Sequence, residues 1–296
     1  MKNFIIKSLL FLLSWILFFW LFFIFVDGGD DPFYSRFTTK KQSSLIIGDS
    51  RSAQGILPSI LNEKFENISI YNYSFSNDRS PFGKIYLESI KRKLDRTDGN
   101  GIFLISVTPY SICSRLEDPN KESIFRENNL ELSNKFVTLR PNFPFLLKFY
   151  NKRFYNIFRK SNDLFLHSDG WLEVTVPMDS LSVIQRTKMK LDLKNKTKSK
   201  WNFSSVRLDY LSKTIDYLNN YGTVYLVRLP IDPEMRKIEN QILPNFEKII
   251  NSLSFKKNIR YLSLLENDNQ FLYTDGNHLY SESAKIVTQI IAEWIN

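Results

Sequence analysis

The chain has 296 residues, enough for one short targeting element and one domain with a sizeable core, but not for two full domains. Its net charge of +9 invites comparison with nucleic-acid binders, yet the basic residues are scattered and the domain reads as exported, so no nucleic acid is expected as a partner. The single cysteine, Cys113, excludes a disulfide framework within the domain.

Ser8 to Val26 carries no charge and is dominated by Leu, Phe, Ile and Trp, a run long enough to cross the hydrocarbon of a bilayer. It exceeds the apolar region of a signal peptide, and no small-residue cleavage pattern follows it. No cysteine stands nearby to take a lipid. Lys2 and Lys7 precede the run, whereas Asp27, Asp30 and Asp31 follow it, which puts the N-terminus in the cytoplasm. The expected localisation is therefore an inner or plasma membrane, crossed once, with the C-terminal domain periplasmic or extracellular. Residues 1–26 form the tail and anchor, and 27–43, with Gly28, Gly29 and Pro32, read as a linker.

The domain, residues 44–296, opens with the apolar run Ser44 to Ile47, a buried strand that ends in Gly48, Asp49 and Ser50. A helix over Leu57 to Phe65 follows, then a strand over Ile68 to Phe75 and a helix from Pro81 that aligns Ile85, Ile90 and Leu94. Gly101 to Val107 is the third strand. After a long interval come a helix from Ser205 to Asn220, a strand from Thr223 to Leu229, a helix from Pro233 to Leu253 and a strand from Arg260 to Leu264. The last helix, Ser281 to Ile295, carries Val287, Ile290, Ile291 and Trp294 on one face. Strands alternating with crossover helices predict a mostly parallel sheet covered on both faces, with its site beyond the carboxyl ends of the strands.

The interval, about 111–200, is too long for a plain loop and reads as an inserted cap or subdomain. Its aromatics Phe143, Phe145, Phe149, Tyr150, Phe154 and Tyr155 read as a small core of their own. Arg186 to Lys200 sets seven basic residues against one Asp. It reads as a solvated loop, and anionic lipid headgroups or envelope polymers are what such a run would bind.

Ser50 stands where the sheet places reactive groups, although a serine there also serves as a helix cap. The chain has two histidines. His278 lies three residues after Asp275 and just before the last helix, so one tight loop supplies both a base and the carboxylate that orients it. His167, in Leu166-His-Ser-Asp-Gly-Trp171, reads as a turn residue, with Gly170 and Trp171 as groove-lining candidates.

Gly48-Asp49-Ser50 and Asp275-Gly-Asn-His278 resemble the first and last conserved blocks of the SGNH (GDSL-like) hydrolase superfamily. The resemblance covers about Ser44 to Asn296 and implies a flavodoxin-like three-layer α/β sandwich. It makes Ser50 the nucleophile, His278 the general base and Asp275 its orienter, with no metal or organic cofactor. Superfamily members also use a glycine after strand two and an asparagine after strand three as oxyanion donors. Here Ser76 or Asn77 stands at the first position, and at the second, within Ser106-Val-Thr-Pro-Tyr110, Thr108 or a backbone amide substitutes. Arg228 and Arg51 are each either anion binders on the same rim or ion-pair partners.

This form is similar to the membrane-anchored relatives of teichoic acid D-alanylation and alginate O-acetylation. Two functions follow from the resemblance. One is a serine esterase or O-acyltransferase acting on acyl esters of envelope glycans or lipids. The other is a catalytically weak or inactive module that binds an envelope polymer or a membrane-bound acyltransferase partner.

Overall fold

The computed structural model describes residues 1–25, 31–65, 68–96, 99–150 and 163–296. Val26, the Gly28 and Gly29 pair, Asp27, Asp30, Phe154 and Tyr155, all named above, lie outside the described residues. Helix α1 spans Lys2–Ile24, none of it buried, and is long and apolar enough to cross a membrane. It starts six residues before the uncharged run, because a lysine near a helix end can extend its ammonium to the interface without breaking the backbone ladder.

The central strands are β1 (Ser44–Ile47), β2 (Ile70–Asn72) and β3 (Gly101–Ser106). Short strands β4 (Cys113–Ser114), β5 (Leu164–Leu166), β6 (Leu172–Val174) and β7 (Asn202–Phe203) follow, then β8 (Gly222–Arg228) and β9 (Arg260–Ser263). A five-stranded sheet runs in the order β2-β1-β3-β8-β9 with every pairing parallel. This is the flavodoxin-like order, in which the direction of strand addition switches between β1 and β3 and opens a crevice there.

The remaining helices are α2 (Ser50–Gly55), α3 (Pro58–Lys64), α4 (Lys84–Lys93), α5 (Phe143–Lys148), α6 (Ser180–Thr197), α7 (Ser205–Leu218), α8 (Pro233–Ile242), α9 (Phe246–Lys257) and α10 (Ser281–Ile295). Alternation along the strands divides the core. Leu45, Ile47, Phe103 and Ile105 face Ile90, Leu211 and Ile250, whereas Ile46, Ile102 and Leu104 face Leu61, Val287 and Ile291. The expected helix over Pro233 to Leu253 is two helices, because Pro244 has no N–H to continue the ladder.

Three other expectations are corrected. The stretch read as a linker is folded onto the domain from its described part onward: Tyr34, Arg36 and Phe37 are fully buried, and Phe37 packs on Phe75 and Phe145. Large aromatics spaced three apart bury more area than a free tether would leave exposed. Likewise Phe145 and Phe149 enter the main core rather than a separate one. The hairpin of β5 and β6 covers the outer edge of β2, with Asn72 N donating to Asp169 O at 2.8 Å. Gly170 is required there, since a Cβ would sit 2.2 Å from Asn72 O. His167 stacks on Trp171 and meets Glu173 Oε2 at 2.8 Å, and Trp171 donates to Gln54 O at 2.9 Å, so both brace the hairpin instead of lining a groove.

Candidate active site

The site grows out of the end of β1. Gly48 brings that strand so close to β3 that a Cβ would lie 2.9 Å from Ser106 Cβ. Asp49 then caps α2, its Oδ1 accepting from Arg51 N at 2.9 Å. Ser50 opens the helix, half-buried at the mouth of the crevice, with an N–H that has no intrahelical acceptor.

The opposing wall is the turn before α10. Gly276 adopts φ +72°, which lets the Asp275 carboxylate accept from the N–H groups of Asn277 at 3.0 Å and His278 at 2.9 Å. A Cβ at Gly276 would meet Thr187 Cγ2 at 3.0 Å and Met235 Cε at 3.2 Å. Gly276→Val is therefore expected to cost about 2 kcal/mol from the left-handed backbone alone, read as a lowered Tm in thermal unfolding. An unchanged Tm would show that the turn does not need its glycine.

These walls bring Ser50, His278 and Asp275 into line. Ser50 Oγ lies 2.8 Å from His278 Nε2, and His278 Nδ1 lies 3.0 and 3.1 Å from the two Asp275 oxygens. A carboxylate facing Nδ1 places the proton there and leaves Nε2 to accept from the Ser50 hydroxyl. Burial pushes the Asp275 carboxyl up, but the hydrogen bond and charge of His278, together with Lys190, outweigh it and hold it below the usual carboxylate range. Lys190 Nζ sits 3.2 Å from Asp275 Oδ2.

Asn277 is a member of the site that sequence reasoning left without a role. Its Oδ1 accepts from Arg51 Nη2 at 3.0 Å, which orients the amide so that Nδ2 faces His278 Nε2 at 3.2 Å. The only sequence signal was its place inside the Asp-Gly-Asn-His turn.

Two of the expected anion binders are committed elsewhere. Arg51 Nη2 pairs with Glu239 Oε1 at 2.5 Å, and Arg228 reaches Glu239 Oε2 at 3.0 Å and Glu247 Oε1 at 2.5 Å. Both arginines are almost completely buried, and a buried guanidinium needs a carboxylate more than a rim needs a cation. The Thr108 hydroxyl donates to Asp49 Oδ2 at 3.0 Å, so it braces the α2 cap and is not a free oxyanion donor. Ser76 and Asn77 do line the cleft over Ser50 and His278, and Asn77 Oδ1 is buried without a hydrogen-bond partner.

The cleft encloses about 290 Å³, and its third wall is the region read as a solvated loop. Asp179 caps α6 by accepting from Ser182 N, and the helix turns Lys190, Leu193, Lys194 and Thr197 toward the cleft. The Asp before Ser-Leu-Ser-Val-Ile was the helix-start signal that the charge run obscured. Among the described residues no His, Cys, Asp and Glu cluster fits a metal ion.

No family model and no curated protein matches the chain. Among solved structures it is similar to Est24, a carbohydrate acetylesterase from Sinorhizobium meliloti, at 10% identity and a TM-score of 0.40, over 86% of this chain and 98% of that one. It is also similar to an inhibitor-bound aryl esterase from M. smegmatis at 10% identity and a TM-score of 0.38, over 85% and 98% of the two chains.

Proposed function

We propose that this protein is a membrane-anchored, extracytoplasmic serine enzyme of the SGNH type, an esterase or O-acyltransferase acting on acyl esters of envelope glycans or lipids. The observation that carries the reading is the continuous line from Ser50 Oγ through His278 to the Asp275 carboxylate, with contacts of 2.8 to 3.1 Å. Ser50 Oγ attacks the ester carbonyl while His278 Nε2 takes its proton, and Asp275 stabilises the imidazolium. The developing oxyanion meets the Ser50 N–H and the Asn77 amide. His278 then protonates the departing alkoxide. Water or a sugar hydroxyl, deprotonated in turn by His278, releases the acyl group.

Membrane attachment is supported by α1 and by the way it meets the domain. Phe23, in its last turn, packs edge-on against Phe143 at 5.8 Å. Phe33 lies on Phe75 at 5.4 Å and under Arg79 at 5.0 Å, two residues from the cleft residue Asn77. That proximity favours an acyl ester presented at the membrane surface.

Labelling with a fluorophosphonate probe tests the reading. The purified wild-type chain is expected to label, and Ser50→Ala is expected to lose the label completely. A folded wild-type protein that takes no label assigns the cleft to binding an envelope polymer or an acyltransferase partner, and ends the enzymatic reading.

A further inference from the structure

The wall supplied by α6 contains a buried cation that, among the described residues, has no carboxylate in direct contact. Lys194 is 9% exposed and lines the cleft beside Ser50, Asn277 and His278. Its ammonium rests over the Tyr110 ring, 4.2 Å from the centroid, and among the described residues no carboxylate lies within ion-pair distance of it. The neighbouring anions are already shared: Asp275 serves His278 and Lys190, and Glu239 serves Arg51 and Arg228. Burying an ammonium without an anion is costly, so proteins rarely hold one without a purpose.

The surroundings are rich in donors as well. The Tyr110 hydroxyl and Arg51 Nη1 are both buried and have no acceptor. Tyr110 lines the same cleft, and Arg51 lies close enough to lower the Lys194 ammonium electrostatically. Burial first, then the charge of Arg51, push that ammonium down to about 7, with Lys190 adding to the fall and Glu239 and Asp49 opposing it, and an incoming anion would raise it again.

We propose that Lys194 recognises an anionic group, a carboxylate or a phosphate, carried by the substrate next to its acyl ester. This deepens the serine-enzyme reading and rests on it. The ester carbonyl lies against Ser50 while the anion takes the unshared ammonium, so charge selects the substrate and fixes the direction in which it enters. A carboxylate would come from an acidic glycan, and a phosphate from a lipid headgroup or a phosphate-linked polymer. Lys194 is thus a specificity residue, and Lys190, four residues earlier on the same face, is a positioning residue for Asp275.

The test uses the full-length chain in detergent and three acetyl esters: 4-acetoxybenzoate, its neutral methyl ester and 4-acetoxyphenyl phosphate. Wild type is expected to favour at least one anionic ester over the neutral one by about tenfold or more in kcat/KM, the range of a charge-assisted hydrogen bond. Lys194→Met, which keeps the stem, is expected to remove that preference by lowering kcat/KM for the anionic ester about tenfold more than for the neutral one. The anionic ester that loses more identifies the source of the charge. A wild type indifferent to charge, or a variant that loses neutral and anionic esters alike, overturns the proposal. Binding in a background that cannot turn over separates this outcome from failure of the serine chemistry. Calorimetry with 4-acetamidobenzoate and 4-acetamidophenyl phosphate on Ser50→Ala is expected to show binding that Lys194→Met, or the milder Lys194→Gln, weakens about tenfold. Absence of anion binding there refutes the role of Lys194 even if Ser50 labels. Anion binding without labelling or turnover counts against the serine reading alone.

Discussion

Asp275→Asn is expected to lower kcat by roughly ten-thousand-fold on any ester the wild type hydrolyses, with the fold intact. The carboxylate accepts four contacts: the Asn277 and His278 amides, His278 Nδ1 and Lys190 Nζ. An asparagine can keep an oxygen toward the two backbone amides, but its NH2 then faces Nδ1 and donates to it. Nδ1 must become the acceptor, the ring proton moves to Nε2, and Nε2 can no longer take the Ser50 proton across 2.8 Å. The loss falls on kcat, because nothing in the exchange removes a substrate contact. Fluorophosphonate labelling should slow in parallel, since the probe needs the same activated hydroxyl. A loss of less than tenfold, with the variant folded, would mean that His278 does not act as the base through this tautomer.

The elements that carry the chemistry were legible because each has a local cause. Ser44–Ile47 is bounded by Gly48, and the Asp275 turn is written by Gly276, whose positive φ other residues rarely adopt. Parallel order followed from the alternation of strands and helices. What was not legible depended on residues far apart in sequence. Arg51 and Arg228 read equally as rim cations and as ion-pair partners, because nothing near them announces Glu239, which reaches both from the buried face of α8. Thr108 read as an oxyanion donor because its partner, Asp49, lies 59 residues away. The charge run of α6 read as solvated because its inner face mixes Lys190 and Lys194 with Leu193 instead of carrying an apolar stripe. A lysine stem covers apolar surface as well as a leucine does, so hydrophobic patterning alone does not reveal which lysines turn inward. The segment ahead of β1 misled for the opposite reason: its glycines and Pro32 signalled a tether, while Tyr34 and Phe37 supplied the area that docks it.

Glu239→Ala is expected to destabilise the domain by about 3–5 kcal/mol, the cost of leaving buried charges without their counter-ion. Glu239 is fully buried and bridges two cations, Arg51 at 2.5 Å and Arg228 at 3.0 Å, that are themselves buried. Arg228 keeps Glu247, but among the described residues Arg51 would have no other carboxylate in an ion pair. The effect reaches the site, because the same Arg51 nitrogen holds Asn277 Oδ1, and Asn277 orders the amide beside His278. Glu239→Gln, which keeps the volume and one acceptor, separates charge from packing and should show a smaller loss. The sign with pH follows from the carboxyl's position. Burial pushes it up, but Arg51, Arg228 and Lys194 overcome this and bring it to about 2, below its ordinary value of 4.5. A depressed carboxyl contributes its stability fully above the unfolded value and loses it as pH falls toward the folded one. Wild-type stability should therefore decline between about pH 4.5 and pH 2 more steeply than that of Glu239→Gln. Denaturant unfolding followed by tryptophan fluorescence at several pH values reads both effects. Equal stabilities for Glu239→Ala and wild type at neutral pH would mean that water, not Glu239, satisfies the two arginines.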